Sequence, residues 1–196
     1  MNKLLLPLLC ASLLLTACGR DCSQTAAWAP VAEDALDAAQ KTQRAAAFEA
    51  KDAMFKQLSG ALMGAIQESG PAAAIGVCQS VAPEIAARVS EERGVTIGRT
   101  SFRLRNAENT APAWAAALVD AQHADNAYLA SPDGSLGVLL PIRLQNPCMT
   151  CHGDPASVAD DVKTKIESLY PDDQAMGFAQ GDLRGYFWIE VPAASE

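Results

Sequence analysis

The sequence predicts an α+β domain, with its helices first and an antiparallel sheet built mostly from the second half of the chain. Three observations predict this class. Residues 33–69 are alanine-rich, carry charges spaced around the helical turns and contain no proline. From residue 127 onward, apolar runs are separated by turn residues, with Ser131-Pro132-Asp133-Gly134 the clearest turn. No internal repeat or low-complexity segment suggests another architecture, and 196 residues suffice for one domain with a proper core.

Taken in order, the chain opens on a targeting segment, residues 1–17. Lys3 precedes a leucine-rich run from Leu4 to Leu15 that is too short to span a bilayer. It ends in Leu15-Thr16-Ala17-Cys18, which resembles the bacterial lipobox, so Cys18 is the expected lipidation site. This places the mature chain on the periplasmic side, anchored by lipid to a bacterial membrane. Residues 18–31 read as a tether and 32–196 as a single domain.

Within the domain, residues 33–69 predict one long helix or two in series, ended by Gly70-Pro71. Residues 72–92 predict a second helix that Pro83 kinks or restarts, because proline interrupts the hydrogen-bond ladder. Residues 94–106 read as a strand, and Pro112 opens a third helix with Thr110 as a plausible cap. Residues 127–131 and 135–145 form a hairpin, 155–169 a fourth helix, and 177–191 a closing hairpin with an aromatic final strand.

Composition excludes some functions. The formal charge is −8, and loss of Lys3 with the leader takes it to −9. An acidic chain without a basic run is a poor nucleic-acid binder and a poor electrostatic partner for anionic lipid, so membrane contact would come through the acyl anchor. No Ser-His-Asp set, partnered carboxylate pair or phosphate loop is visible.

The run with specific chemistry is Cys148-Met149-Thr150-Cys151-His152. Two thiols two residues apart can each add to a porphyrin vinyl group, and the adjacent histidine can bind the iron, so C-x-x-C-H marks c-type haem attachment. Cys148 and Cys151 are then the tethers of one covalent haem, and His152 is the proximal metal ligand. A redox dithiol needs no adjacent histidine, and a zinc site needs a partner pair that lone His123 does not provide.

The position opposite His152 stays open on residue chemistry alone. His123 and Met176 are possible ligands, while Met54 and Met63 read as helix core. Cys78 shares an apolar helical stripe with Ile75, Val81, Ala82 and Ile85, so it points inward either as a small buried hydrophobe or as an iron ligand. Cys22 is the other unassigned thiol, and a Cys22–Cys78 disulfide is conceivable in an exported chain. Arg99, Arg103 and Arg105 share parity along the expected strand and are candidate partners for haem carboxylates, or simply a solvated face.

Four segments resemble the PAS-like, single-haem c-type cytochrome domain family: GVCQSVAPEIA (76–86), IGRTSFRLRNAENTAPAW (97–114), PCMTCHG (147–153) and PDDQAMGFAQGDLRGYFWIEV (171–191). The resemblance implies a PAS-like antiparallel sheet flanked by helices. It also implies a haem held by His152 and, from the early helix, Cys78. A departure is Ala107, where the family often has proline after arginine-asparagine. The expected function is electron transfer or redox sensing with an unidentified partner. A gas sensor with a labile cysteine ligand and a small-oxidant haem enzyme are the alternatives.

Overall fold

The computed structural model describes residues 28–194; the leader, Cys18 and Cys22 lie outside the described residues. The α+β class is borne out. A five-stranded antiparallel sheet of order β1-β3-β4-β5-β2 is flanked by helices on both faces.

The first strand, β1 (Ala29–Val31), lies in the segment expected to be tether. It pairs antiparallel with β3 (Ala127–Ala130) at the sheet edge, where Pro30 is tolerated. Trp28, stacked 5.4 Å from Trp114, helps to dock it. Three residues including a proline carry too little periodicity for the sequence to announce a strand.

The long helix, α1 (Ala38–Ser69), is continuous. Asp37 starts it with a reciprocal capping box: Gln40 N donates to Asp37 Oδ1 at 2.8 Å, and Asp37 N donates to Gln40 Oε1 at 3.1 Å. Such a cap contributes about 1 kcal/mol. Gln43, Ala47, Ala50, Met54 and Leu58 are buried at spacings of three and four, a narrow stripe dominated by small residues that lets the helix lie close on the sheet. Beyond Leu58 the helix touches that core only through partly buried Ala61 and Leu62, and Phe55 and Met63 are 55% and 46% exposed.

The second helical segment runs as α2 (Pro71–Gly76), a π-helical turn (Val77–Val81) and α3 (Ala82–Arg93). The restart expected at Pro83 is found, since α3 begins at Ala82, and it is preceded by a π turn that the sequence did not announce. Ala82 N donates to Val77 O, five residues back, and Pro83 with no N–H sits in the first turn of α3. Gly94, at φ 63°, ends α3 in the left-handed conformation.

The strand expected over 94–106 is shorter: β2 is Thr96–Thr100. Past Thr100 the ladder gives way to other partners. Arg103 N donates to Ser101 Oγ, whose hydroxyl donates to Arg184 O, and Gln174 N donates to Leu104 O. The third helix is also short, α4 (Ala116–Asp120). No side chain caps it, and Ala115 N closes onto Pro112 O without help from Thr110. β3 and β4 (Leu136–Arg143) form the expected hairpin through Ser131–Gly134.

After β4 come α5 (Met149–His152), α6 (Asp160–Leu169) and β5 (Leu183–Val191). The closing hairpin is not formed. Residues 177–182 are a turn in which Ala179 N donates to Asp182 Oδ2, and β5 instead fills the sheet between β4 and β2.

On one sheet face α1 and α3 cover Val138, Leu140, Phe187 and Ile189; on the other, Trp114 and Val119 cover Leu129, Leu139 and Tyr186. α2 packs against α6 through Ile75, Val162 and Ile166. The open end of the α1 face, between these packed units, is where the site lies.

Candidate functional site

Between α1 and the sheet lies a cleft of about 220 Å³. One wall is α1 with Phe55, Leu58 and Leu62; the opposite wall is sheet, with Ile142 of β4 and Phe187 of β5. Arg99 faces Phe187 across the β2–β5 pair and so enters the cleft from the same face. The π turn supplies Cys78, and the chain after β4 supplies Cys148 and His152. Residues from five separate stretches of sequence thus converge.

His152 is held by its neighbours rather than by its own short helix. Its Nδ1 lies 2.7 Å from Ala175 O. A carbonyl can only accept, so Nδ1 carries the proton and Nε2 keeps its lone pair. Burial, reinforced by the positive Arg105 and Arg184, holds the imidazole pKa well below its ordinary value, which keeps the ring neutral and able to ligate. Phe178 meets the ring edge-on at 6.5 Å, and its N–H donates to His152 O at 2.9 Å.

The loop carrying Ala175 is itself clamped. Arg105 donates from Nε to Asp173 Oδ1 at 2.9 Å and from Nη2 to Cys151 O at 2.7 Å. Asp173 Oδ1 also accepts from Ala175 N at 3.1 Å. Arg103 donates to Gln174 O and Met176 O and stacks 4.1 Å over the Phe178 ring. Two arginines that the sequence offered as carboxylate partners therefore hold the histidine's support. Of these, Arg105 also lines the cleft and Arg103 does not. β2 ends at Thr100, so strand parity does not extend to either of them, yet Arg105 reaches the cleft with Arg99 while Arg103 does not.

Cys78 lines the cleft half-buried, and burial pushes its thiol pKa up against the opposing pull of Arg99, Arg105 and Arg184. Cys148 lines it too, whereas Cys151 sits beside it against the Ile75–Val162 cluster, its thiol likewise raised by burial. Met176 and His123, the other candidate ligands, do not line it; His123 lies on the α4 side, where its carbonyl accepts from Tyr186 Oη at 3.0 Å. Among the described residues, no three His, Cys, Asp or Glu side chains stand close enough to cage a bare ion. An imidazole and thiols in an apolar cleft suit a soft metal carried inside a larger planar cofactor.

Arg184 was missed from the sequence. It lines the cleft at the start of β5, where burial pushes its pKa down to about 10. The available signal was an arginine entering a largely apolar strand, Leu183–Val191.

Fold and site together define a PAS-like α+β domain with a thiol–imidazole cleft opening beside its sheet. The chain belongs to the Tll0287-like family, whose model matches residues 26–192. Among solved structures, it resembles the crystal structure of the cyanobacterial heme-protein Tll0287, with a TM-score of 0.53 and 21% identity over 73% of this chain and 92% of that one. A comparison with curated proteins finds no match.

Proposed function

We propose that the cleft holds one covalent haem c and that the protein is an exported cytochrome domain for electron transfer or redox sensing. The observation that carries this reading is the convergence of Cys148 and neutral His152 from the attachment motif with Cys78 from the π turn in one apolar cleft. The likeness to a structure titled a heme-protein supports it. Cys148 and Cys151 would hold the haem as thioethers, with His152 Nε2 and Cys78 Sγ as metal ligands. When bound, the cofactor supplies one-electron redox chemistry, with thiolate ligation favouring the ferric state. A cleft of about 220 Å³ is smaller than the roughly 300–1,000 Å³ of enclosed small-molecule sites. Covalent tethers secure a large planar group where enclosure alone would not.

Two measurements on protein made with a haem-maturation apparatus test the reading. The pigment should resist acid acetone, and Cys148→Ala/Cys151→Ala should make it extractable. The ferric protein should give a thiolate-type low-spin resonance that Cys78→Ser abolishes. A colourless native protein overturns the haem assignment, and a resonance unchanged in Cys78→Ser overturns the ligand assignment alone.

The π turn supports a second reading, a sensor in which Cys78 leaves the iron. π turns mark functional irregularities in helices, and this one places the candidate ligand where the helical register is already broken. Carbon monoxide binding by the reduced protein would favour a sensor; indifference to the gas would favour a carrier. The proposed location, on the periplasmic side of a bacterial membrane, depends on Cys18; a Cys18→Ser chain should leave the membrane fraction.

A further inference from the structure

We propose that the cleft is a receptor for a dianion, with Arg99 and Arg184 seating the two carboxylates of the haem; this rests on the haem reading and deepens it. Three arginines line the cleft, Arg99, Arg105 and Arg184, and no aspartate or glutamate does, in a chain whose formal charge is −8. Arg105 is neutralised by Asp173 at 2.9 Å, with both side chains 7% exposed. The other two have no ion-pair partner among the described residues. The uncharged Cys78 and Tyr170 are the groups whose potential anionic forms face Arg99; burial pushes the Tyr170 hydroxyl up to about 12 and raises the Cys78 thiol. Arg184 uses Nη1 on Arg103 O at 3.0 Å and packs 5.6 Å from the Phe178 ring, while its buried Nε has no partner.

A guanidinium that has lost part of its water and has no anion is unfavourable, and this chain keeps two such groups, both half-buried, in one wall. Burial lowers the pKa of both, and at Arg184 the nearby Asp173 carboxylate, already engaged by Arg105, offsets this only in part. Two unmatched cations balance two carboxylates, and the planar fork of arginine suits a carboxylate better than a point charge would. The ligand is thereby recognised by its acid groups as well as its metal. Charge that disfavours the empty cleft becomes favourable when the cleft is filled.

The test removes iron and tethers from the comparison. The Cys148→Ala/Cys151→Ala chain, its native fold checked by circular dichroism, is titrated with iron-free protoporphyrin IX and with its dimethyl ester. Tryptophan quenching reads the binding. The ester should bind roughly tenfold or more weakly, as expected from losing charge-assisted hydrogen bonds, and Arg99→Gln should clearly reduce that difference by removing one of the two seats. Equal affinities for acid and ester overturn the seat, as does a ratio that Arg99→Gln leaves unchanged. If ferric haem gives the His/thiolate spectrum while acid and ester bind alike, the seat falls and the haem reading stands. If the porphyrins discriminate as expected but ferric haem is never ligated, the seat stands and the ligand set falls. A measurement without any ligand guards against misfolding: Arg99→Gln should raise the thermal midpoint of the ligand-free chain, because it deletes a half-buried cation that has no carboxylate partner among the described residues. A lowered midpoint would show Arg99 to be a structural partner and overturn the proposal.

Discussion

Replacing Asp173 by alanine is expected to destabilise the domain by about 3–5 kcal/mol, the range for leaving one member of a buried ion pair uncompensated. The Asp173–Arg105 pair is 2.9 Å long and almost fully enclosed. Removing the carboxylate adds a third unmatched guanidinium to a region that already holds Arg99 and Arg184, so the effect belongs at the upper end of that range. It also removes the acceptor for Ala175 N, at 3.1 Å, and thereby loosens the carbonyl that holds His152 Nδ1. Urea unfolding at constant slope measures the stability change. In the double variant Asp173→Ala/Arg105→Met, which removes both charges, much of the loss should return. A single-variant loss below about 1 kcal/mol would show that the pair is solvated and that the clamp is not what orients the histidine.

How much of this was legible in the sequence follows from the range over which each feature is encoded. α1 was legible because its pattern is local: 32 residues free of proline and closed by Gly70. The β3–β4 hairpin was legible because Ser131–Gly134 is a self-contained turn. Cys78 was correctly assigned an inward direction because its stripe with Ile75, Ala82 and Ile85 lies on one helical segment; the π turn shifted the phase without turning the face outward.

The features that were not legible depend on distant partners. Residues 101–105 continue the alternation of a strand, yet Leu104 O accepts from Gln174 and Ser101 Oγ donates to Arg184 O, each about 70 to 80 positions away. No pattern within 94–106 reveals that those partners exist, so the parity argument extended β2 too far. The closing hairpin failed for a related reason. The residues before β5 alternate well enough for a strand, but the Asp182 carboxylate closes them into a turn, and β4 and β2 already flank β5 on both sides. The motif at 148–152 names its chemistry locally, while the groups that orient it, Asp173, Ala175 and Phe178, are brought to it only by the tertiary fold.

Gly185→Ala is the substitution expected to damage the site with the least change in chemistry. A Cβ at Gly185 would stand 2.3 Å from Thr100 O and 3.0 Å from Ser101 Cβ. The first obstacle is backbone, so no side-chain rotation relieves it; the two chains must separate. They would separate where β2 ends, one residue from the last register pair, Thr100 with Tyr186. The Ser101 hydroxyl bond to Arg184 O at 2.7 Å and the Arg184 bond to Arg103 O at 3.0 Å both cross that junction. Overpacking of this kind costs about 1–3 kcal/mol, and more where the backbone itself must move. Because Arg99, Ser101 and Arg184 all line the cleft from this junction, binding should suffer beyond the loss of stability. The expected result is a lower thermal midpoint together with weakened protoporphyrin binding at temperatures where the variant is still fully folded. Gly98 provides the control. A Cβ there meets the Trp188 indole first, on the opposite sheet face from the cleft, so Gly98→Ala should lower the midpoint and leave binding by the folded fraction unchanged. Equal effects of the two variants on binding would show that the close approach of β5 to β2 serves the sheet alone and does not shape the cleft.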